Sequence, residues 1–252
     1  MRQDECLEDM SDESLPSMSA RSEVWCVWES QAAGEPERWH NWWRCLYERV
    51  RAKGRFLMIL SDVDIRKALA DGRIRITPEP DLDAQLGSVS VDFRLGTTFM
   101  VFEHSRHSFI DPRSPQSIGD AMRTIEVAPE EPFIMQPGDF ALASTVESLE
   151  LPDDLLGRLE GRSSIARLGI TVHSTAAVFE PGWVGTATME LSNLGRMAVA
   201  LYPGMRICAF SFEEVSSPVS VPYRMKRNNK YAGQLTPRAS QLSDEASMTV
   251  ER

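Results

Sequence analysis

Cysteine is scarce. Cys6, Cys26, Cys45 and Cys208 are the only four in 252 residues, and none stands at CxxC spacing, which excludes a disulfide framework and a thiolate metal cluster and predicts reduced thiols in the cytoplasm. Histidine is equally sparse, and His40, His104, His107 and His173 lack the spacing of a metal site. No apolar run approaches the ~20 residues that a membrane-spanning helix needs, so no membrane partner is expected. Positive charge is in deficit, with 27 Lys and Arg against 37 Asp and Glu and a net charge of -10. That balance excludes a sequence-independent grip on nucleic acid, which needs a basic footprint to displace counterions. A local cationic cluster for a small anion remains compatible with it. Heptads, solenoid repeats and a Rossmann glycine pattern are all missing.

What the chain does have changes character at Met58. Residues 1–57 run from acidic and Ser-rich sequence into Trp25, Trp28, Trp39, Trp42 and Trp43 and then the basic stretch Arg49 to Arg55. This segment is read as an N-terminal extension, either a flexible leader or the product of an upstream start codon, with a tryptophan-based docking element as the alternative. From Met58 a domain begins. Ser61 is placed to cap a helix over Asp62–Asp71, with Val63, Ile65 and Leu69 as its apolar set and Gly72 as its stop. Beyond Gly72 the pattern is two-residue alternation broken by Pro and Gly, the mark of short strands in a sandwich or barrel. Val89 to Leu95 and Thr186 to Ser192 alternate most cleanly, and further strands are expected at Thr98–Phe102, Phe133–Gln136, Phe140–Thr145, Val172–Ala176, Val199–Leu201 and Arg206–Phe212. Turns fall at Gln136 to Asp139, Glu180 to Gly182 and Tyr202 to Gly204. Only the Asp62 and Arg162 segments read as helices, so the fold class is all-β, a distorted jelly roll or barrel. Residues 58–225 form this domain and 226–252 a polar tail.

The stretch from Leu159 to Ile170 carries the chemistry. Gly161 permits close backbone approach, Ser163 or Ser164 can cap a short helix, and Arg162 and Arg167 supply charge, which together make a pocket for an anion such as phosphate. Ser163 and Arg167 stand four apart and would share a helical face.

Eight motifs in order then carry a resemblance. They are Leu-Ser-Asp-x-Asp-Ile from Leu60, Ser-Val-Asp-Phe-Arg-Leu from Ser90, Gln-Pro-Gly-Asp-Phe from Gln136, Leu-Glu-Gly-Arg-Ser-Ser-Ile-Ala-Arg-Leu-Gly from Leu159, Val-His-Ser-Thr-Ala from Val172, Glu-Pro-Gly-Trp from Glu180, Met-Glu-Leu-Ser-Asn from Met189 and Tyr-Pro-Gly-Met from Tyr202. From Met58 to about Ser240 the chain resembles the dCTP deaminases of the dUTPase superfamily. The resemblance implies a dUTPase-type fold, a homotrimer with sites assembled from neighbouring subunits, and hydrolysis of dCTP to dUTP and ammonia. It implies Glu190 as the proton shuttle, Ser163 and Arg167 as catalytic partners, and a water held by the main chain of Ala176. The nucleotide contacts it implies are Arg162, Ser163, Ser164, Ile165, Ala166, Arg167, Glu180, Thr188, Met189, Glu190, Tyr223, Lys230 and Gln234. Mg²⁺ would arrive on the substrate triphosphate, and dTTP would be a feedback inhibitor. Zinc is not expected, because the His-x-Glu and Pro-Cys-x-x-Cys signature of the zinc deaminases is missing.

Two departures bear on the product. Some members of the family release dUTP and others go on to dUMP and diphosphate. The loop after Ser-Thr-Ala, usually His-Arg in the first group and Gly-Phe in the second, is Ala177-Val178 here and matches neither. Glu180 stands where the family has an aspartate facing the sugar. Trp183, Ala209 and Arg162 resemble the dUTP-releasing group, so dUTP is the expected product, with the bifunctional enzyme as the alternative and a non-catalytic nucleotide sensor behind it.

Overall fold

The computed structural model describes residues 58–103, 109–112 and 114–242, and the expectations for 1–57, for His104 and His107 and for the end of the tail lie outside the described residues. Ile59 makes a single bridge to Glu213, and helix α1 (Asp62–Ala70) is capped, as the sequence predicts, by the Ser61 side chain, which accepts from the Asp64 N–H. Gly72, at φ 67°, ends it in the left-handed conformation that suits glycine.

Strands follow as β1 (Arg75–Thr77), β2 (Val91–Phe102), β3 (Met122–Glu126), β4 (Phe133–Met135), β5 (Phe140–Glu150) and β6 (Leu155–Gly161). The second half supplies β7 (Ile170–Thr171), β8 (Val178–Phe179), β9 (Val184–Asn193), β10 (Val199–Leu201) and β11 (Arg206–Glu214). Nine of them form one sheet in the order β7-β9-β5-β2-β11-β6-β8, with β1 added to β5 and β3 to β2, while β10 and β4 pair separately. The registered pairs are antiparallel throughout.

The long strands explain the curl. Along β2, residues 91–94 face β11 and residues 98–102 face β3, and the β2–β5 register slips between Leu95 and Phe99. A second slip, between Ser144 and Ser148, bends β5 against β9. Bulges of this kind sharpen twist and let one strand serve two surfaces. Gly96 sits at the first bend, where an added Cβ would lie 2.9 Å from the Ser144 carbonyl oxygen. The curled sheet wraps a core that includes Phe93, Phe99, Phe210 and Phe212, all fully buried, with Phe93 and Phe210 rings 4.7 Å apart. This is the all-β, curled barrel-like architecture expected from the alternation.

Three local expectations are corrected. Val172–Ala176 is not a strand: only Val172 is buried, and the segment leaves the sheet as a loop after β7. Helices are more numerous than two, because α2 (Leu82–Gln85), α3 (Pro115–Asp120) and a 3-10 turn at Tyr223–Met225 join α1 and α4 (Ser163–Ala166). Neither Ser163 nor Ser164 caps α4. Its N-cap is Arg162, whose side chain makes no capping bond because it turns away toward the sheet.

Candidate active site

Strand β9 places Glu190. Its buried neighbours Met189 and Leu191 face the core, so alternation turns the Glu190 carboxylate to the opposite side, where it lines a cavity of about 550 Å³. One carboxylate oxygen accepts the Ser174 N–H at 2.9 Å. That bond accounts for the loop at 172–176: the Ser174 amide is used on the carboxylate and not in a ladder. The Glu190 N–H donates to the Val172 carbonyl at 3.0 Å, so strand and loop are tied at both ends of one residue.

The cavity gathers six of the residues anticipated from sequence: Ala176, Glu180, Thr188, Glu190, Tyr223 and Gln234. Phe102, Met122, Phe140 and Leu142 give it an apolar wall. Glu180 is ion-paired with Lys226, whose ammonium also lies 6.0 Å from the centre of the Tyr223 ring. Tyr223 is in turn packed on Trp183 at 5.3 Å between centroids. Gly182 makes that arrangement feasible: it has φ 80°, and a Cβ there would lie 2.4 Å from Pro222 Cβ and 2.9 Å from the Tyr223 nitrogen. Gly182→Ala is therefore expected to cost about 1–3 kcal/mol in backbone strain and displacement, read as a lower melting temperature, and to raise KM as Tyr223 moves.

Within one chain the Arg-Ser-Ser turn does not join this cavity. Ser163, Ser164, Ala166 and Arg167 are exposed, Ile165 is buried in the core and Met189 is fully buried, so Ile165 and Met189 can reach a ligand only through their main chains. Lys230 is half-buried in the tail, off the cavity wall. Arg162 points inward: its Nε lies 2.9 Å from an Asp92 carboxylate oxygen, and its Nη1 donates to the Arg206 carbonyl at 3.0 Å. Arg206 reaches the same Asp92 oxygen at 3.3 Å. Burial raises the Asp92 carboxyl above its ordinary value, against the pull of Arg162 and then Arg206. Next to them Cys208 is fully buried, and desolvation with the nearby Glu147 and Asp92 charges pushes its thiol far above the usual range, so it is an inert core group.

Sequence reasoning missed Tyr231, Arg238 and Ser240, which also line the cavity. They lie in a segment that reads as a polar tail; the spaced Tyr231, Gln234 and Pro237, the last two buried, are the sign that it packs.

Comparison with known proteins agrees with this geometry. A family model described as dCTP deaminase-like matches residues 59–215. The chain is 76% identical over 191 residues to a dCTP deaminase of Thermomicrobium roseum, covering 76% of this chain and 97% of that one. It is 48% identical over 188 residues, 74% of this chain and 95% of the relative, to a dUMP-forming dCTP deaminase of Dictyoglomus thermophilum. Among solved structures, the 2'-deoxycytidine 5'-triphosphate deaminase of Agrobacterium tumefaciens shares the fold at a TM-score of 0.50 and 23% identity, over 63% of this chain and 47% of that one. By the length of sequence that the family model matches and by the identity to its relatives, the chain belongs to the dCTP deaminase-like family.

Proposed function

We propose that the domain at 58–225, closed by the tail at 226–252, hydrolyses dCTP to dUTP and ammonia, and that the fixed Glu190 carboxylate in its cavity carries the reaction. One Glu190 oxygen is occupied by the Ser174 N–H at 2.9 Å, which orients the group and leaves the other to take a proton from water. The water oxygen forms a bond to C4 of the cytosine while its proton passes to Glu190. Glu190 returns that proton to the 4-amino group, and the C4–N bond breaks with its electron pair leaving on ammonia. The second water proton moves from the C4 oxygen to N3, which took the C4=N3 electron pair on attack, so that the C4 carbonyl and the N3–H of uracil form. The Ala176 main chain at the cavity wall holds the water, and Thr188, Tyr223 and Gln234 hold the nucleotide. Mg²⁺ enters with the triphosphate as part of the substrate.

The separation of Ser163 and Arg167 from the Glu190 cavity supports a homotrimer in which a neighbouring subunit completes each site. Both side chains are exposed in the single chain and free to serve a second copy. dTTP, with the same triphosphate and a related base, is the expected feedback inhibitor.

The dUMP-forming reading is favoured by the names of several relatives at 45% to 48% identity. Against it stand the 76% identical relative named simply dCTP deaminase and Trp183, Ala209 and Arg162 in this chain. Incubation with dCTP and Mg²⁺, with ammonia assayed and nucleotides separated by ion exchange, is expected to show dUTP accumulating in step with ammonia. dUMP and diphosphate appearing at the same rate, with no dUTP, would establish the bifunctional reaction instead.

A further inference from the structure

Glu190 stands on a boundary between polar and apolar surface. On one side along β9 is Thr188, which lines the cavity with it. Directly across the β5–β9 pairing is Leu142, and on the far side from Thr188 comes the row that begins with Phe140, registered opposite Ser192. The Phe140 ring lies 5.8 Å from that of Phe102, which is registered in turn with Met122 on β3. Leu142, Phe140, Phe102 and Met122 are half-buried cavity-lining residues, and Ile118 of α3, 5% exposed, lines the cavity as well. The carboxylate is therefore flanked by a hydroxyl on one side and by hydrocarbon on the other.

The polar side is held in place by Gln234. That residue is 1% exposed and seated against β9, where its side-chain amide donates to the Thr186 carbonyl and to the Thr188 hydroxyl, each at 2.9 Å. The Thr188 oxygen accepts from Gln234 and so has its own O–H to donate to a ligand. The apolar row offers carbon and a thioether in its place.

Cytosine has the same two sides. With C4 against Glu190, and N1 across the ring carrying the sugar toward Glu180 and Tyr223, one ring edge presents O2 and N3 and the other the C–H groups of C5 and C6. The O2 and N3 edge matches the Thr188 hydroxyl, and C5 then faces Leu142 and Phe140. We infer that this hydrocarbon surface is a subsite for an apolar C5 substituent, and that the enzyme also deaminates 5-methyl-dCTP. The inference rests on the deaminase reading of the cavity. Water is the only co-reactant: its oxygen bonds to C4, the C4–N bond breaks with its electron pair leaving on ammonia, and the C5 methyl is retained, so that the product is the 5-methyluracil nucleotide dTTP. A methyl set on Leu142 and Phe140 exchanges water for hydrocarbon, whereas a hydroxymethyl would bring a hydroxyl there without a partner.

The test measures initial rates of ammonia release by the full-length chain from dCTP, 5-methyl-dCTP and 5-hydroxymethyl-dCTP, before product accumulates. For 5-methyl-dCTP, kcat/KM is expected to lie within about tenfold of that for dCTP and about tenfold above that for the hydroxymethyl nucleotide, a discrimination of the size that apolar pockets achieve. Leu142→Thr is expected to lower the ratio of 5-methyl-dCTP to dCTP turnover about threefold to tenfold, and Leu142→Met to keep it. General damage to the fold would lower both rates and leave that ratio unmoved. Normal dCTP turnover with 5-methyl-dCTP more than tenfold poorer, or equal rates for the methyl and hydroxymethyl nucleotides, would overturn the subsite. Calorimetry separates this from the activity: 5-methyl-dCTP binding at least as tightly as dCTP, with no ammonia released from either, would leave the subsite standing and overturn the deaminase reading.

Discussion

Glu190→Gln is expected to reduce ammonia release from dCTP by ~10²–10⁴-fold, the usual contribution of one positioned acid–base group. The amide keeps the shape of the carboxylate and an oxygen for the Ser174 N–H, so the loop at 172–176 and the cavity wall should hold their positions. It has no basic oxygen to take the water proton and no proton to hand on to the departing amine. The loss should therefore appear in kcat, with nucleotide affinity by calorimetry close to that of the parent and an unchanged melting curve. Turnover within a few-fold of the parent would remove Glu190 from the mechanism. A loss of binding equal to the loss of rate would make it a ligand contact and not a shuttle.

The second large effect is on stability. Glu147 has 0% exposure, yet its carboxylate is saturated: it accepts the Arg94 N–H at 2.7 Å, the Arg94 Nε at 2.6 Å and the Gln85 side-chain amide at 3.2 Å. These contacts tie α2, β2 and β5 at the bend in the sheet. Glu147→Ala leaves the buried Gln85 amide and the Arg94 N–H without their acceptor, while the Arg94 guanidinium, one third exposed, can turn to water. The loss is expected to be about 3–5 kcal/mol from the unmatched donors and the cavity together. At this chain size that corresponds to a melting temperature lower by roughly 6–20 °C. Glu147→Gln, which retains an acceptor for the Arg94 N–H, should lose less. A thermal melt followed by circular dichroism decides the matter, and a shift of only a degree or two in the Ala variant would mean that Arg94 and Gln85 find water or other partners.

Much of the fold was legible in the alternation, and the places where it misled have physical causes. The turns at Pro137-Gly138, Pro181-Gly182 and Pro203-Gly204 stand where the dipeptides predict them, each with its glycine at positive φ. Alternation marks two strands, Val89 to Leu95 and Thr98–Phe102, where the structure has the single strand β2, and the Gly96 between them is what lets β2 and β5 approach at the bend. Strand β6 was not anticipated. Its inward positions are Leu155, Gly157 and Leu159, and the middle one is glycine because Leu151 and Phe210 already fill the space, leaving 3.3 Å to an added Cβ. An alternation counted in apolar side chains cannot register a position where the core wants none.

For the candidate site, six of the residues named from the motifs line one cavity, because strand alternation and local turns fix where they stand. The inward turn of Arg162 was not legible, since its partners Asp92 and Arg206 are distant in sequence and meet it only through the pairing of β11 with β2 and β6. The sequence marks 226–252 as a polar tail, yet its described part packs. The Gln234 side-chain nitrogen bonds to β9 and the Tyr231 and Gln241 N–H groups bond to tyrosine hydroxyls, a form of packing that hydrophobic counting does not weigh.

The seat of Gln234 on β9 has a further consequence for solubility. Gly185 to Thr188 pair with β5 on one side only, and β7 reaches β9 no earlier than Ser192. The tail completes the other side through the Gly185 and Gln234 bridge, which Gly185 permits at φ 130° with the Gln234 carbonyl oxygen 2.7 Å from where a Cβ would lie. An uncovered strand edge is a template for another chain. A protein cut before Gly233 would present such an edge along the strand that carries Glu190, so clipping of the tail would promote self-association as well as opening the cavity.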